Sequence, residues 1–207
     1  MRRRNEEQRA AAYKQEYERV IFRSRGTYLL DYGCGDGAFT EQFQGWHKYG
    51  VEVSEYCVSL CLAKNIRMVD THDLKDGTLD LVIFRGVLQH IDEPFTALRE
   101  AARLLRRGGT LAILAQPDAD SLCYKLFGDL PALDAPRNWW IPGRRELQNI
   151  LHKLNFDKQE VIAPYWGGPY AKPWRDVTRF AMRLVGIRKP FAFPGNMIEL
   201  YAQRGYR

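Results

Sequence analysis

Short apolar runs alternate with segments of helical periodicity along the first half of the chain. The predicted strands are 27–31, 49–53, 66–69, 79–84 and 110–115. The predicted helices are 5–23, 55–63 and 94–105, and a further helix is predicted to start within 38–44. Gly108 and Gly109 are expected to end the helix 94–105. Strands separated by helices are typical of βαβ units, so the pattern predicts an α/β fold with a parallel sheet.

The regular alternation of predicted strands and helices ends after Pro117. Residues 118–142 contain aromatic residues and prolines with few periodic runs, which predicts a long excursion from the sheet. Residues 144–154 have helical spacing, and 156–163 with 197–203 are expected to form a closing pair of strands. Asp80 follows a tight turn and is expected to anchor the strand there.

Composition narrows the class of protein. The 207 residues are 45% hydrophobic and 27% charged, which is typical of one globular domain. No apolar run reaches the length of about 20 residues that spans a bilayer, and the first residues are charged rather than apolar. The four cysteines form no CxxC pair and the four histidines are scattered, so we expect a reducing cytoplasm and no metal site.

The net charge of +6 is concentrated at the two ends of the chain. Residues 164–195 carry six basic side chains and one acidic side chain among seven aromatic ones. Within them, Val177 and Leu184 can share one helix face while Arg175, Arg179 and Arg183 follow another. Three interpretations stay open: a helix packed on the sheet with a solvated basic face, a lid over an anionic or glycosyl acceptor, or a contact with an anionic membrane. No RNA-binding module is apparent, so nucleic acid is not an expected partner.

A glycine cluster after the first strand carries the sharpest chemical signal. Gly33-x-Gly35-x-Gly37 permits a tight turn and a close approach of a ligand to the backbone. With Glu52 placed 19 residues beyond Gly33, the spacing also fits a dinucleotide site. Asp31 favours another ligand, because its carboxylate would repel a diphosphate and attract an ammonium or sulfonium group. At ~4 Å and an effective dielectric constant of ~20, the sign of that contact is worth about 4 kcal/mol.

Five segments, in this order, resemble the motifs of class I S-adenosylmethionine-dependent methyltransferases. They are Leu30-Asp-Tyr-Gly-Cys-Gly-Asp-Gly37, Gly50-Val-Glu-Val-Ser54, 65–74, 79–94 and 104–111. The resemblance implies a Rossmann-like, seven-stranded, mostly parallel sheet with helices on both faces and an antiparallel last strand. It also implies one methyltransferase domain over 1–207, with an N-terminal helix at 1–25, a cofactor-binding core at 26–117, and acceptor-side elements and closing strands at 118–207.

The resemblance assigns a cofactor site for S-adenosyl-L-methionine. Glu52 would hold the ribose hydroxyls, and Asp70 would accept from the adenine amino group, with Asp73 as a rival. Arg85 and Gly86 would line the methionine end, and the Arg85 side chain is expected to turn toward a carboxylate. The full set of implied cofactor residues is Asp31, Gly33, Cys34, Gly35, Glu52, Val53, Asp70, Thr71, Arg85 and Gly86.

The reaction that the resemblance implies is methyl transfer, with O-methylation of a small metabolite, sugar or glycan as our interpretation. His90 lies just past the fourth strand and either accepts a proton from the acceptor or shapes its pocket. Residues 135–142 also resemble, more loosely, a subset that acts on sugars, glycans and other small metabolites. Two alternatives stay open: a methyltransferase-like binding module without turnover, and an NAD-dependent oxidoreductase.

Overall fold

A computed structural model describes residues 2–130 and 139–206 of the chain. Its seven strands are β1 (Tyr28–Tyr32), β2 (His47–Val51), β3 (Arg67–Met68), β4 (Leu79–Arg85), β5 (Leu105–Pro117), β6 (Phe156–Ile162) and β7 (Met197–Arg204). They form one sheet in the order β3-β2-β1-β4-β5-β7-β6. Neighbours from β3 to β5 are parallel, and β7 is antiparallel to both β5 and β6. The predicted mostly parallel sheet with an antiparallel last strand is confirmed.

The helices surround this sheet. They are α1 (Arg2–Arg23), α2 (Glu55–Ala63), α3 (Pro94–Leu104), α4 (Leu122–Phe127), α5 (Arg144–Lys153) and α6 (Pro173–Leu184). The sequence interpretation missed α4, which begins after a Ser121 cap and ends at Gly128 in a left-handed conformation. Among the described helices, none combines the length and the apolar composition that crossing a bilayer requires.

The central strand β4 shows how the core forms. Its side chains alternate between the faces of the sheet, and nearly all of them are buried. Val82 and Phe84 pack in the cluster that includes Leu98 of α3, while Leu81 and Ile83 pack in the cluster beneath α1. Two apolar layers therefore cover the sheet and fix the strand ends at its carboxyl edge.

The helix expected to start within 38–44 is reduced to one 3-10 turn, Thr40–Gln42. Gly45 adopts a left-handed φ of +78° and β2 begins two residues later, so no chain is left for further helical turns. The N-terminal helix covers this part of the sheet instead. Tyr17 of α1 packs edge-on against Phe43 at a ring distance of 5.0 Å.

The prediction that Gly108 and Gly109 end the helix before β5 was wrong. Helix α3 already stops at Leu104 and β5 starts at the next residue. Leu79 pairs with Leu105 and Leu81 with Thr110, so the extra residues of β5 bulge outward around Gly108 at a φ of +75°. Glycine provides the left-handed conformation that such a bulge needs.

Of the three interpretations of residues 164–195, a helix packed by its apolar face with a solvated basic face describes α6 only in part, since Phe180 packs on Phe127 and Phe193. Val177 and Leu184 are each 59% exposed. Arg175 instead pairs with buried Asp176, and Arg183 pairs with Asp129 at 2.6 Å. Intramolecular carboxylates hold these arginines, and the side chains of Val177 and Leu184 face solvent.

Asp80 has the anchoring role expected of it. Its Oδ2 accepts hydrogen bonds from the backbone N–H groups of Thr27 (2.8 Å) and Tyr28 (2.9 Å), and its Oδ1 accepts from the Arg106 guanidinium. Burial opposes ionisation of Asp80, but these hydrogen bonds outweigh it and hold the pKa of the carboxyl below its usual value.

Replacing Asp80 with Ala is expected to lower the free energy of unfolding by about 2–4 kcal/mol, because two backbone donors and Arg106 lose their partner. D80N retains an acceptor oxygen and should cost less. Because the folded pKa is depressed, the charge contribution is present above the unfolded pKa of about 3.9 and is lost as the pH falls through the folded value. Urea unfolding at neutral pH and near pH 3 measures both effects, and an unchanged midpoint for D80A would contradict the assignment.

Candidate functional site

The glycine cluster forms the bend that follows β1. Gly33, Gly35 and Gly37 have φ values of +74°, +54° and +71°, which side chains rarely allow. A Cβ on Gly33 would lie 2.3 Å from the Val87 side chain. A Cβ on Gly35 would meet no heavy atom of the described chain within 4 Å, so the backbone here faces open space. This combination leaves main-chain atoms accessible to a ligand.

Glu52 connects this bend to the end of β2. One carboxylate oxygen accepts from the Gly35 N–H at 2.9 Å, and the other accepts from the N–H groups of Val53 and Ser54, each at 2.9 Å. Val53, beside it, is 96% exposed. The Glu52 carboxylate, an oriented hydrogen-bond acceptor, and the exposed side chain of Val53 therefore lie side by side at the end of β2.

Cys34 contributes its main chain and not its thiol to this region. The side chain is buried, and its Sγ lies 3.6 Å from the Sγ of Cys61. Burial raises the pKa of the Cys34 thiol well above its ordinary value. The thiol is therefore neutral, and it packs the bend against α2.

Asp31 is the most unusual group at the site. It is 1% exposed, and its Oδ2 accepts a hydrogen bond from the Thr40 hydroxyl. Its Oδ1 accepts none from any residue that the structure describes. Burial raises the pKa of Asp31 to about 6, although the Thr40 hydrogen bond and the Arg85 charge oppose the shift. A buried carboxylate oxygen without a partner is a strong attractor for a cation or a donor.

Asp70 and Thr71 follow the short third strand. Asp70 is exposed and caps the turn Thr71–Asp73 by accepting from the His72 N–H at 2.9 Å. Asp70 and its rival Asp73 both line a cleft of about 810 Å³ that also reaches Glu52. The cleft continues along the sheet toward Tyr28 and is not lined by the glycine bend, so only one end of it coincides with the predicted cofactor site.

Arg85 ends β4 and turns toward a carboxylate, as expected, but this carboxylate belongs to the protein. Its Nε lies 2.5 Å from an oxygen of Glu16 on α1, and its guanidinium lies 4.0 Å above the ring of Tyr13. Burial raises the pKa of Glu16, and the Arg85 charge opposes that shift. The next residue, Gly86, has a φ of +59° and donates its N–H to Leu114 at 2.8 Å. The ion pair between Arg85 and Glu16 attaches helix α1 to the carboxyl edge of the sheet.

His90 is exposed and ends the turn Leu88–His90. Its Nε2 lies 3.3 Å from the amide nitrogen of Gln89, which also donates to the Gly86 carbonyl at 3.1 Å. The Gln89 side-chain oxygen is buried and accepts no hydrogen bond from the residues described. Gln89 therefore orients His90 and leaves a second unsatisfied acceptor on this side of the sheet.

The sequence interpretation missed Glu16, Thr40 and Gln89. Nothing marks Glu16 among the other charged residues of α1, because its pairing with Arg85 spans 69 positions. Thr40 was inferable in principle, since a hydroxyl just beyond a glycine bend can turn back to the strand end. Residues 135–138 of the segment that loosely resembles sugar-directed enzymes lie outside the described residues.

Comparisons with known proteins agree with this geometry. The methyltransferase domain family matches residues 5–161. The chain is 31% identical over 142 residues to an uncharacterized 37.1 kDa protein of Streptomyces fradiae, covering 62% of this chain and 40% of that protein. It is 27% identical over 155 residues to an O-methyltransferase of Aspergillus nomiae, covering 64% and 65%.

A solved structure of a SAM-dependent methyltransferase from Thermotoga maritima superimposes with a TM-score of 0.69. It is 20% identical and covers 94% of this chain and 90% of that one. The chain spans between 40% and 65% of the length of the curated relatives that it matches.

Replacing Asp31 with Asn is expected to stabilise the ligand-free protein at pH 8 by up to about 3 kcal/mol. The folded pKa of about 6 lies above the unfolded value of about 3.9, so ionisation of Asp31 progressively costs stability as the pH rises between these values. At pH 4 the carboxyl of the folded protein is neutral and most of the difference should disappear, which provides the control. Thermal unfolding at the two pH values measures the effect, and a D31N variant less stable at pH 8 than at pH 4, relative to wild type, would contradict it.

Proposed function

Since the chain belongs to the methyltransferase domain family, we propose that it transfers a methyl group from S-adenosylmethionine to an oxygen atom of a small acceptor. The observation that carries this proposal is the buried, half-partnered Asp31 carboxylate beside an open glycine bend. The similarity to an O-methyltransferase supports oxygen as the acceptor atom.

The residues at the carboxyl edge fit this cofactor. Gly35 leaves room for a ligand against the backbone, and Glu52 offers carboxylate oxygens whose lone pairs are not all used by the three N–H groups they accept. The exposed Val53 suits contact with an adenine ring, and Asp70 or Asp73 would accept from the adenine amino group. The N–H groups of Gly33 and Cys34 both donate to the Val51 carbonyl and hold the bend against β2, so these two residues and Thr71 would contribute close van der Waals contacts.

Electrostatics favour a cationic donor over a dinucleotide. Asp31 would approach a diphosphate with like charge inside a water-poor site, which costs free energy. An ammonium or sulfonium group would instead favour the ionised carboxylate and satisfy Oδ1. Binding of a positively charged ligand would thus offset the unfavourable free energy of burying the Asp31 carboxylate.

When bound, S-adenosylmethionine supplies a methyl group activated by its sulfonium sulfur. The residues of the chain then mainly orient, shield and accept a proton. We propose that Arg85 exchanges its pairing with Glu16 for the carboxylate of the methionine end, with Tyr13 remaining over the guanidinium. Glu16, whose pKa burial raises, can take up a proton when Arg85 leaves it.

The acceptor side of the proposed site lies beyond β4, where His90 and Gln89 are found. An acceptor hydroxyl would replace the Gln89 amide at the His90 ring nitrogen and pass its proton there. Small metabolites, sugars and glycans all present such hydroxyls. Arg175 and Arg183 hold intramolecular carboxylates, so we do not assign them to an anionic acceptor.

Glu52→Gln is expected to weaken binding of S-adenosylhomocysteine by about tenfold, because a charged acceptor for two hydroxyl donors is lost. Calorimetric titration measures the affinity, and E55Q, which changes an exposed glutamate in the first turn of α2, is the matched control. Equal affinities for wild type and E52Q would contradict the ribose assignment. Wild-type affinity for NAD with none for S-adenosylhomocysteine would overturn the proposed cofactor.

His90→Ala is expected to lower kcat roughly 100- to 10,000-fold, because the proton acceptor is removed. The assay measures S-adenosylhomocysteine formation across a panel of hydroxylated acceptors. His152→Ala on the exposed side of α5 serves as the control. A raised KM with unchanged kcat would make His90 a residue that shapes the pocket, and binding without turnover in wild type would indicate a non-catalytic module.

A further inference from the structure

Helix α6 turns an apolar stripe toward solvent. Trp174 is 90% exposed, Val177 and Leu184 are 59% exposed, and Val185, directly after the helix, is 74% exposed. Ala181 between them is exposed as well. Their spacing of three and four residues places them along one side of the helix. A globular protein normally turns such a stripe inward, so this surface calls for a partner.

Buried polar contacts fix the orientation of the helix. Asp176, fully buried, accepts hydrogen bonds from the Tyr165 hydroxyl at 3.1 Å, the Lys172 N–H at 2.8 Å and the Arg175 guanidinium at 2.9 Å. Arg183 pairs with Asp129 from the other end of the helix. Lys172 and Arg175 belong to the start of α6 itself, so rotating the helix would break the Tyr165 hydrogen bond, the Arg183–Asp129 ion pair and the packing of Phe180 on Phe127 and Phe193.

The charge around the stripe has one sign. Residues 177–195 contain four basic side chains and no acidic ones. Arg188 and Lys189, just beyond the helix, are both exposed. Trp166, which precedes α6 in the chain, adds a second indole that is 75% exposed. Indole rings, an apolar stripe and exposed cations together match the interface of a bilayer that contains anionic lipids.

We propose that the outward face of α6 (Trp174, Val177, Ala181, Leu184 and Val185), with Arg188 and Lys189, docks on an anionic membrane surface. This proposal is independent of methyl transfer. A second copy of the chain is a poorer occupant, because it carries the same net charge of +6 and would bring like charges together.

The docking surface is connected to the proposed active site. The carbonyl of Pro169, four residues before α6, accepts a hydrogen bond from the Gln8 side chain of α1 at 3.0 Å. The Gly167 carbonyl accepts from Gln15 at 3.2 Å. Since α1 also carries Glu16, the partner of Arg85, a docked α6 would hold this edge of the sheet near the bilayer. An acceptor located at the membrane surface would then have a short path to the site.

The test is cosedimentation of the full chain with vesicles of phosphatidylcholine, with and without phosphatidylglycerol. Wild type is expected to bind the anionic vesicles at least tenfold more tightly than the neutral ones. The triple variant W174S/V177S/L184S should lose at least tenfold of that affinity, and R188S/K189S should lose about as much. Leu62→Ser on α2 and Phe22→Ser on α1 change equally exposed apolar side chains, 57% and 85% exposed, and should bind like wild type.

Several results would overturn the proposal. They are no binding of wild type to anionic vesicles, equal binding to neutral ones, undiminished binding of the triple variant, or a loss of the same size in the Leu62 and Phe22 controls. A wild-type dimer in sedimentation velocity that the triple variant dissociates, without vesicle binding, would assign the surface to a second copy.

A second measurement keeps the test valid if the triple variant unfolds. Quenching of tryptophan fluorescence by brominated lipids should be strong in wild type and reduced in the single variant W174F. This variant keeps an aromatic ring at the position but removes one of the two highly exposed indoles of this region, Trp166 and Trp174. Equal quenching of the two proteins would contradict insertion of Trp174.

Discussion

The carboxylate of Asp31 is the constraint around which the site is organised. Parallel pairing of β1 with β2 and β4 places it where water does not reach, and Thr40 satisfies only one of its oxygens. Without a ligand, burial makes the ionised form of Asp31 unfavourable, and the pKa of its carboxyl is raised. The surrounding sheet holds the carboxylate in place although its burial is unfavourable.

Helix α1 links the remaining parts of the molecule to this carboxylate. It replaces the helical cover that the short β1–β2 connection lacks, and its Glu16 neutralises Arg85 next to Asp31. Further along, Arg19 pairs with buried Glu199 of β7. One helix thus contacts the glycine bend, the end of β4 and the antiparallel last strand.

Helix α6 illustrates how far a periodic pattern can be trusted. An amphipathic pattern identifies two faces but does not say how much of each one packs. In α6, Phe180 of the apolar face packs on the core while Val177 and Leu184 face solvent. Asp176 is buried with three donors, and Arg183 pairs with Asp129, so polar contacts replace part of the apolar packing that the pattern alone would predict.

The sequence by itself determined where the first five strands lie along the chain, the glycine bend, the placement of Asp31 and Glu52 at strand ends, and the family, since these depend on local chain conformation and on motif order. Only the tertiary structure decided that Glu16 meets Arg85, that Gln89 orients His90 and that α6 faces outward. The Glu16–Arg85 pair and the orientation of α6 depend on how the sheet and helices pack, whereas Gln89 and His90 are neighbours in the chain whose contact depends on the conformation of the turn after β4. Burial of the polar groups, which sets their pKa values and leaves Asp31 without a full set of partners, likewise exists only in the folded chain.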